Sequence, residues 1–333
     1  MERYAMVLAA SLKELGCRVV FHARKADRAA AQAMGIELRC SRVARFPRKL
    51  QDFHFFRQVE KERLESTGSQ ITLTRVRVRD LVICGGTHRG YLRNARKLAG
   101  PFDWLQIWME QEAYRHARVV VSHSDLCNRE LAEWYSVPPE KIVTLYPPIE
   151  AKFASPADSR ERGESRRNLG LPPDKVVFLF PSMGHSRKGL KPVCQAMEEF
   201  SDHAILAVAG KPVGTAEARF VRYLGYVKDM PAAYKAADFT ILGSSYEPFG
   251  LVGPESVMCG TRLVFEENIG CLTAIRPEFV LTFCVWKPES IRQALSTAVA
   301  LTSRRENHIS EPRAALLYDP SPAEHAKALL RLL

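Results

Sequence analysis

The sequence predicts an α/β protein built from two doubly wound domains that face a cleft. Short buried strands alternate with amphipathic helices, which is the pattern of parallel sheets covered on both faces. This alternation is interrupted once, at Tyr146-Pro147-Pro148 and the polar stretch after it, and then resumes. Because 333 residues exceed what one hydrophobic core usually holds, we expect an N-terminal domain at 1–148 and a C-terminal domain at 149–333.

The N-terminal half opens with a predicted helix. Its apolar residues recur at helical spacing from Tyr4 to Leu15, and Gly16 should end it. A strand at 18–22 follows, so helix and strand form half of a parallel βαβ unit. The strand that should precede this helix is missing, and we expect a first domain without its first strand. Later strands are predicted at 71–73, 81–84, 119–121 and 142–145, and helices at 102–117 and 125–136.

The C-terminal half repeats the alternation more clearly. Strands are predicted at 176–180, 205–209, 220–224, 239–242 and 261–265, and helices at 189–200, 230–237 and 252–259. A last helix at 322–332 is assigned to the C-terminal domain, with the alternative that it packs back on the N-terminal domain. Doubly wound sheets bind ligands at the carboxyl ends of their strands, so functional residues are expected in the loops that follow them.

The composition excludes several classes of protein. Hydrophobic residues at 46% and charged residues at 26% are ordinary for a globular protein, and exclude a disordered chain, a collagen-like fibre and a coiled coil. The sequence contains no uncharged apolar run of about 18 residues, so it predicts no membrane-spanning helix. Charged residues near the start predict that there is no signal peptide. The eight cysteines form no CxxC pair, so we expect reduced thiols in a cytoplasmic protein and no metal site.

Positive charge is concentrated in the first third of the chain. Residues 1–100 hold 21 Lys and Arg against 9 Asp and Glu, whereas the remaining residues hold 27 and 28. Such a field attracts an anionic membrane, a phosphorylated substrate or nucleic acid, and the alternative is a solvated face that only confers solubility. Since no nucleic-acid-binding module is recognised, we expect no nucleic-acid partner.

Two glutamates lie eight positions apart around a predicted strand–loop–helix junction. Glu247 falls on the loop and Glu255 inside the helix, and Phe249-Gly250-Leu251 supplies backbone N–H groups just before that helix. Carboxylates accept hydrogen bonds from sugar hydroxyls, and N–H groups at a helix start favour anionic or hydroxyl oxygens, so this segment predicts a polyol site. The alternative is that Glu247 caps the helix and Glu255 lies on the surface.

Adjacent cations mark the loop after the first strand of the C-terminal half. Arg187 and Lys188 stand directly before Gly189 and a predicted helix. Two cations at this position neutralise a diphosphate, and the helix start adds partial positive charge, so the loop predicts a diphosphate clamp. A purely structural role is disfavoured, because cations at the start of a helix oppose its dipole.

These segments resemble the retaining GT-B glycosyltransferases of the group 1, or family 4, class, in particular the lipopolysaccharide core branch. The class signature is matched by Glu-Pro-Phe-Gly-Leu at 247–251, by Glu-Ser-Val-Met-Cys-Gly-Thr at 255–261, and by Arg-Lys-Gly at 187–189. The resemblance implies two Rossmann-like domains, with Glu247 on the donor sugar, Glu255 on the nucleotide ribose, and Arg187 and Lys188 on the diphosphate. Pro181-Ser182 departs from the Gly-Arg that many members carry.

Further contacts are implied by the same resemblance. Leu-Gly-Tyr-Val at 224–227 matches the segment that meets the nucleobase, so Tyr226 and Val227 are candidate base contacts. The alternative is a strand end that packs its own core. In the other domain, His88 follows Cys84-Gly85-Gly86-Thr87, where the class has a His or Asp that reaches the donor sugar. His88 is therefore the second candidate catalytic residue beside Glu247, and a structural histidine is the alternative.

The implied activity is transfer of a hexose, with retention, from a nucleotide-diphosphate sugar to a lipid-linked glycan such as lipopolysaccharide core. The resemblance implies no cofactor and no metal, with the cations stabilising the leaving diphosphate. We expect a cytoplasmic enzyme that is peripheral on the inner face of the cytoplasmic membrane. The alternatives are a truncated or non-catalytic nucleotide-sugar-binding protein, which the missing first strand favours, and a nucleotide-sugar epimerase.

Residues 45–57 are the candidate membrane-binding segment. They combine four cations with five large apolar side chains, namely Arg45, Arg48, Lys49 and Arg57 with Phe46, Leu50, Phe53, Phe55 and Phe56. Exposed aromatics would insert at a lipid interface while the cations met anionic head groups. The alternative is that these aromatics are core and the cations surround them.

Overall fold

The structure is a computed structural model that describes residues 2–41, 50–63, 68–154, 156, 158–211 and 218–333. The chain divides into two compact units, Met1–Pro148 with Pro320–Leu333, and Ile149–Asp319. Each unit contains helices and parallel strands, as an α/β protein should. The segment Pro320–Leu333 thus belongs to the first unit, whereas the sequence assigned it to the second domain with the return as the alternative.

The first unit contains helices α1 (Glu2–Glu14), α2 (Arg28–Ala33), α3 (Gln51–Arg63), α4 (His88–Asn94), α5 (Pro101–His116) and α6 (Asp125–Tyr135). Its strands are β1 (Val20–Ala23), β2 (Glu37–Cys40), β3 (Ile71–Thr72), β4 (Leu81–Cys84), β5 (Val119–Ser122) and β6 (Ile142–Thr144). Strands β1 and β2 pair in parallel, and β3-β4-β5-β6 form a separate parallel sheet in that order. As predicted, α1 stops just before Gly16, where φ is +84°.

Strand β4 of the first unit is buried along its whole length. Because alternate side chains point to opposite faces of a sheet, Leu81 and Ile83 pack with Tyr4 of α1, whereas Val82 packs with Ile107 of α5. Both faces of the sheet are therefore covered, as its uninterrupted apolar strand requires.

The second unit contains helices α7 (Ser159–Asn168), α8 (Leu190–Met197), α9 (Met230–Ala236), α10 (Val252–Met258) and α11 (Pro288–Ser303). Its strands are β7 (Val176–Ser182), β8 (Ala204–Gly210), β9 (Val221–Gly225), β10 (Phe239–Leu242), β11 (Arg262–Glu266) and β12 (Val280–Phe283). They form one parallel sheet in the order β12-β11-β10-β7-β8-β9. Strand order reverses between β7 and β10, and Rossmann-like sheets bind ligands outside the carboxyl ends of the strands at this reversal.

Helix α12 (Pro322–Arg331) lies against α1 in the first unit. Oη of Tyr4 lies 2.6 Å from Nε2 of His325, and Ala326 and Leu329 are fully buried. The apolar face of α1 that the sequence predicted is therefore covered by a helix from the other end of the chain.

The sequence patterns missed helices α2, α3, α4, α7 and α11 and strands β2 and β12, and four of these show why. Helix α2 has only six residues, and β2 and β12 are four-residue strands that are partly exposed and lack a continuous apolar run. Helix α11 contains Ser, Thr and Val, whose helix propensity is weak. None of the eight cysteines forms a disulfide in the structure. Across the described ranges, no helix is long and apolar enough to cross a membrane.

Candidate functional site

The loops after β7 and β10 lie side by side at the reversal of strand order. The Gly243 N–H donates to the Lys188 carbonyl oxygen over 3.1 Å. Gly189 has a φ of +74°, and a Cβ atom added there would lie 2.2 Å from the Gly243 carbonyl oxygen. Glycine is therefore required at 189, because the two loop backbones approach too closely for any side chain.

The structure brings together Arg187 and Glu247, which are 60 positions apart in the sequence. Nη1 of Arg187 lies 3.0 Å from Oε2 of Glu247 and also donates to the Tyr246 carbonyl oxygen over 2.9 Å. The arginine side chain is 43% exposed and the glutamate side chain 17%. A cation and a carboxylate thus lie together at the carboxyl ends of adjacent strands, and the arginine remains accessible to a ligand.

Lys188 takes a different direction from Arg187. Its Nζ donates to the Pro181 carbonyl oxygen in β7 over 3.1 Å, and its side chain is half-buried. Burial lowers the pKa of Lys188, while the negative charges of Glu247 and Glu255 act in the opposite direction. The predicted clamp therefore consists of one exposed guanidinium and one lysine held against the strand.

Glu255 lies in the first turn of α10 and is 4% exposed, so the alternative that it is a surface residue is wrong. The hydroxyl of Tyr234, from α9, donates to its Oε2 over 3.1 Å. One oxygen of this carboxylate is thus oriented by a neighbouring helix.

The loop between the two glutamates is tight. The Cys271 N–H donates to the Phe249 carbonyl oxygen over 2.7 Å, and Phe249 is buried. Gly250 has a φ of +88°, and a Cβ atom there would lie 2.9 Å from Cγ of Glu247. Leu251 is the N-cap residue of α10, and the carboxylate of Glu247 is paired with Arg187 instead, so the alternative that Glu247 caps this helix is wrong. Phe249, Gly250 and Leu251 therefore shape the loop that carries Glu247.

Tyr226 and Val227 follow β9, the strand at the edge of the sheet. Tyr226 is 80% exposed, so it does not pack in the core, and Val227 is half-buried. Only β8 separates β9 from β7, which places the two strands roughly 10 Å apart at the usual spacing.

His88 is the first residue of α4 in the first unit, and its imidazole is paired with a carboxylate. Nε2 lies 2.8 Å from Oδ1 of Asp103, and Oδ2 of the same residue accepts the Gly100 N–H over 2.9 Å. The Gly100 N–H, together with His88, lowers the pKa of Asp103. The prediction that His88 contacts the donor sugar stays a prediction, and its ring orientation is set by Asp103.

Several aromatic side chains of the first unit lie in its core. His123, which directly follows β5, is 4% exposed and its ring centroid lies 5.3 Å from that of Tyr4. In the candidate membrane segment, Phe55 and Phe56 are 8% and 1% exposed. The expectation that these two phenylalanines insert into lipid is wrong, because they pack inside the first unit. Arg45, Phe46, Arg48 and Lys49 lie outside the described residues.

A buried carboxylate in the first unit has no sequence signature. Glu110 of α5 is 3% exposed and accepts hydrogen bonds from Nε of Arg75 (3.0 Å), the His88 N–H (2.9 Å) and the Tyr135 hydroxyl. Arg75 belongs to a run of alternating arginines, and Glu110 and Tyr135 lie in ordinary helices. Only the packing of α5 and α6 on the sheet brings these groups together.

Two family models match the chain in tandem. The model described as Glycosyltransferase Family 4 matches residues 1–153, and the model described as Glycosyl transferases group 1 matches residues 161–313. A probable transglycosylase of Burkholderia thailandensis is 40% identical over 100% of this chain and 92% of its own length. A D-inositol 3-phosphate glycosyltransferase of Thermomonospora curvata is 28% identical over 56% of this chain and 50% of its own length.

Solved structures share the fold at low identity. WaaG, a glycosyltransferase involved in lipopolysaccharide biosynthesis, superposes with a TM-score of 0.76 at 15% identity, over 99% of this chain and 91% of that chain. HepE of Anabaena, in complex with UDP and glucose, superposes with a TM-score of 0.72 at 13% identity, over 99% and 94%.

Proposed function

Because the chain belongs to the group 1 glycosyltransferase family and has the predicted GT-B fold, we propose that it transfers a hexose from a nucleotide-diphosphate sugar to a lipid-linked glycan, with retention. Its identity as a transferase rests on the family, while donor, acceptor and stereochemistry are parts of the proposal. The observation that carries it is the contact of Arg187 with Glu247 at the carboxyl ends of β7 and β10.

In the proposed donor complex, the diphosphate replaces Glu247 as the partner of Arg187. The exposed guanidinium offers several N–H donors to phosphate oxygens, and charge-assisted bonds of this kind are the strong ones. Glu247 is then released to accept a hydrogen bond from a hydroxyl of the hexose. The complex of HepE with UDP and glucose supports a nucleotide-diphosphate hexose as the donor.

In the proposed complex, the ribose and the base contact the other residues that the sequence predicted to bind the donor. Glu255 accepts from the ribose hydroxyls while the Tyr234 hydroxyl holds one of its oxygens. The exposed ring of Tyr226 and the backbone at Val227 contact the nucleobase beyond β8. Phe249, Gly250 and Leu251 present their backbone to the donor.

The transfer step forms one bond and breaks another at the same sugar carbon. The acceptor hydroxyl attacks the anomeric carbon on the face that the leaving diphosphate vacates, and the bond from that carbon to the diphosphate oxygen breaks. The hydroxyl proton passes to the leaving phosphate, while Arg187 and Lys188 stabilise its developing charge. No metal or cofactor is required in this proposal.

The acceptor is proposed to be a glycan anchored in a membrane, such as lipopolysaccharide core. The likeness to WaaG, whose description names lipopolysaccharide biosynthesis, supports this class of acceptor. With such an acceptor, the proposed location of the enzyme is the inner face of the cytoplasmic membrane, as a peripheral protein.

A surface between α4 and α5 suits such a location. We define the α4–α5 surface as Tyr91, Arg93, Arg96, Lys97, Leu98 and Trp104. Leu98 is 97% exposed and Trp104 58%, while the three cations are exposed beside them. The apolar side chains can insert at a lipid interface, and the cations can meet anionic head groups. The surface therefore matches an anionic membrane in its hydrophobicity and in its charge.

Donor turnover by the purified chain tests the proposal. Supplied with UDP-glucose and an acceptor glycan, the protein should release UDP and form a product whose anomeric configuration, measured by NMR, equals that of the donor. Glu247→Gln should abolish turnover, whereas Glu267→Gln, an exposed glutamate at the same edge of the sheet, should not. A product of inverted configuration contradicts retention, and a lack of both binding and turnover with every nucleotide sugar contradicts the proposed function.

A further inference from the structure

A cavity of about 170 Å³ lies within the first unit, at the carboxyl ends of β3 and β4. Its lining includes Leu73, Thr74, Arg75, Gly85, Glu110 and Tyr114. The carboxyl ends of parallel strands are where α/β sheets bind ligands. None of the residues assigned to the donor lines this cavity, so its occupant is still to be assigned.

Arg75 is fixed in the wall of this cavity by one edge of its guanidinium. Its Nε donates to Oε1 of Glu110 over 3.0 Å, and its side chain is 35% exposed. The His88 N–H and the Tyr135 hydroxyl also donate to Glu110, so its oxygens are already occupied. Within the described part of the chain, the two Nη groups of Arg75 have no hydrogen-bond partner.

The two Nη groups of an arginine held at Nε form a planar fork. Such a fork matches two oxygens of a phosphate or a carboxylate, and pre-orientation by Glu110 reduces the entropy lost on binding. The volume of 170 Å³ equals about six water molecules at ~30 Å³ each. It therefore accommodates one anionic group and part of the sugar that bears it, and falls below the roughly 300 Å³ at which pockets take whole drug-sized ligands.

We propose that this cavity binds a phosphate or carboxylate carried by the acceptor glycan, and that Arg75 is its anchor. In calling the ligand an acceptor the inference rests on the proposed function, but the anion site itself does not. The positive balance of residues 1–100 favours the approach of an anionic ligand to this unit. A neutral sugar would leave the arginine fork without a charged partner.

Calorimetry on the full chain saturated with UDP, so that the diphosphate site is filled, provides the test. Inorganic phosphate, glucose 6-phosphate, glucuronate and glucose serve as probes. Wild type and Arg79→Gln should bind glucose 6-phosphate or glucuronate. Both proteins should bind inorganic phosphate more weakly and should not bind glucose. Arg79 is an exposed arginine four positions along the same run, which makes it the matched control. Arg75→Gln should weaken binding of the anionic probes at least tenfold.

The affinity for UDP, measured first, separates this inference from the proposed function. If Arg75→Gln binds UDP with unchanged affinity but no longer binds the anionic probes, the result supports the anion site at Arg75. Anionic probes that fail to bind wild type, or that bind Arg75→Gln as tightly, overturn it whatever UDP does. If Arg75→Gln proves unstable, Arg75→Lys takes its place in the test. This variant keeps the charge without the fork, and should bind anions with intermediate affinity. Equal binding by Arg75→Lys and wild type would contradict recognition by the fork.

Discussion

Nη1 of Arg187 lies 3.0 Å from Oε2 of Glu247, and this contact joins the loop after β7 to the loop after β10. The two side chains that the sequence assigned to the diphosphate and to the sugar are thus neighbours. Donor binding in the proposed function therefore exchanges one anionic partner of Arg187 for another.

The two glutamates should have separable effects. Glu247→Ala should lose transfer but keep most of the affinity for the nucleotide diphosphate, because this carboxylate faces the sugar in the proposed complex. Glu255→Ala should weaken nucleotide binding by about 10- to 100-fold, since a hydrogen bond to a charged group contributes about 1.5–3 kcal/mol. Calorimetry with the free nucleotide diphosphate measures both affinities. Equal losses in the two variants would contradict this division of roles.

Arg187→Ala should weaken diphosphate binding by about 10- to 100-fold, for the same charge-assisted contribution of about 1.5–3 kcal/mol. Lys191→Ala is the matched control, because Lys191 is an exposed cation in the first turn of α8. It should leave the affinity unchanged. If Arg187→Ala bound the diphosphate as tightly as Lys191→Ala, the phosphates would have to lie elsewhere.

Stability should fall in mild acid because of two histidines in the core of the first unit. Burial lowers the pKa of His123 to about 3 and that of His325 to about 4. In the unfolded chain both titrate near pH 6.5, so below this pH the unfolded state binds more protons than the folded state. The free energy of unfolding should therefore decrease from about pH 6.5 downward, by at most about 1.4 kcal/mol per pH unit for each histidine.

Urea unfolding at pH 7, 6 and 5 measures this decrease. The double variant His123→Gln, His325→Gln removes both titrations and should show a shallower dependence on pH. A dependence that is equally steep in the double variant would place the acid sensitivity in other groups.

Asp238 should be the carboxylate whose loss costs the second unit most. It is 3% exposed and accepts from Arg166 Nη2 (2.6 Å), the Val177 N–H (2.7 Å) and Asn307 Nδ2 (2.8 Å). Asp238→Ala should reduce the free energy of unfolding by about 3–5 kcal/mol, because it leaves a buried arginine without its partner.

The pair Arg219–Asp202 is the control for this prediction. Both of its side chains are 73% exposed, so Asp202→Ala should cost less than about 1 kcal/mol. Denaturant unfolding of the two variants gives the comparison, and similar losses would show that burial of Asp238 is not the cause.

The α4–α5 surface should bind anionic vesicles in a salt-sensitive manner. Replacing Arg93, Arg96 and Lys97 with Ser should weaken binding by roughly 100-fold, at about 1 kcal/mol for each cation near the surface. Leu98→Asp should also weaken it, whereas Leu317→Asp, at a leucine that is 54% exposed in the second unit, should not. Co-sedimentation at low and high salt measures the effect, and binding that survives in the triple variant would refute the assignment.

Local signals made much of the candidate site's geometry predictable. The strand, loop and helix that carry Glu247 and Glu255 are consecutive in the chain, so spacing alone placed both carboxylates at one end of the sheet. The contact of Arg187 with Glu247 depends on β7 lying beside β10, which no local pattern contains. The same holds for Arg75, whose partner Glu110 lies 35 positions away in a packed helix.

Tertiary packing determines what surrounds His88, Phe55 and Phe56. His88 could be proposed from the glycines before it, but its pairing with Asp103 requires the close approach of α4 to α5. Phe55 and Phe56 looked equally suited to lipid or to core, because a mixed basic and aromatic pattern is shared by both environments. Burial resolved that ambiguity for these two residues.

The position of α12 on α1 has a consequence for synthesis on the ribosome. The first unit emerges first, yet Tyr4 and its neighbours receive Ala326 and Leu329 only after the whole second unit has been translated. The second unit is continuous in the chain, whereas the apolar face of α1 in the first unit stays uncovered until α12 has been made. The first unit is therefore made first but completed last. During synthesis its uncovered apolar face needs protection from aggregation for longest.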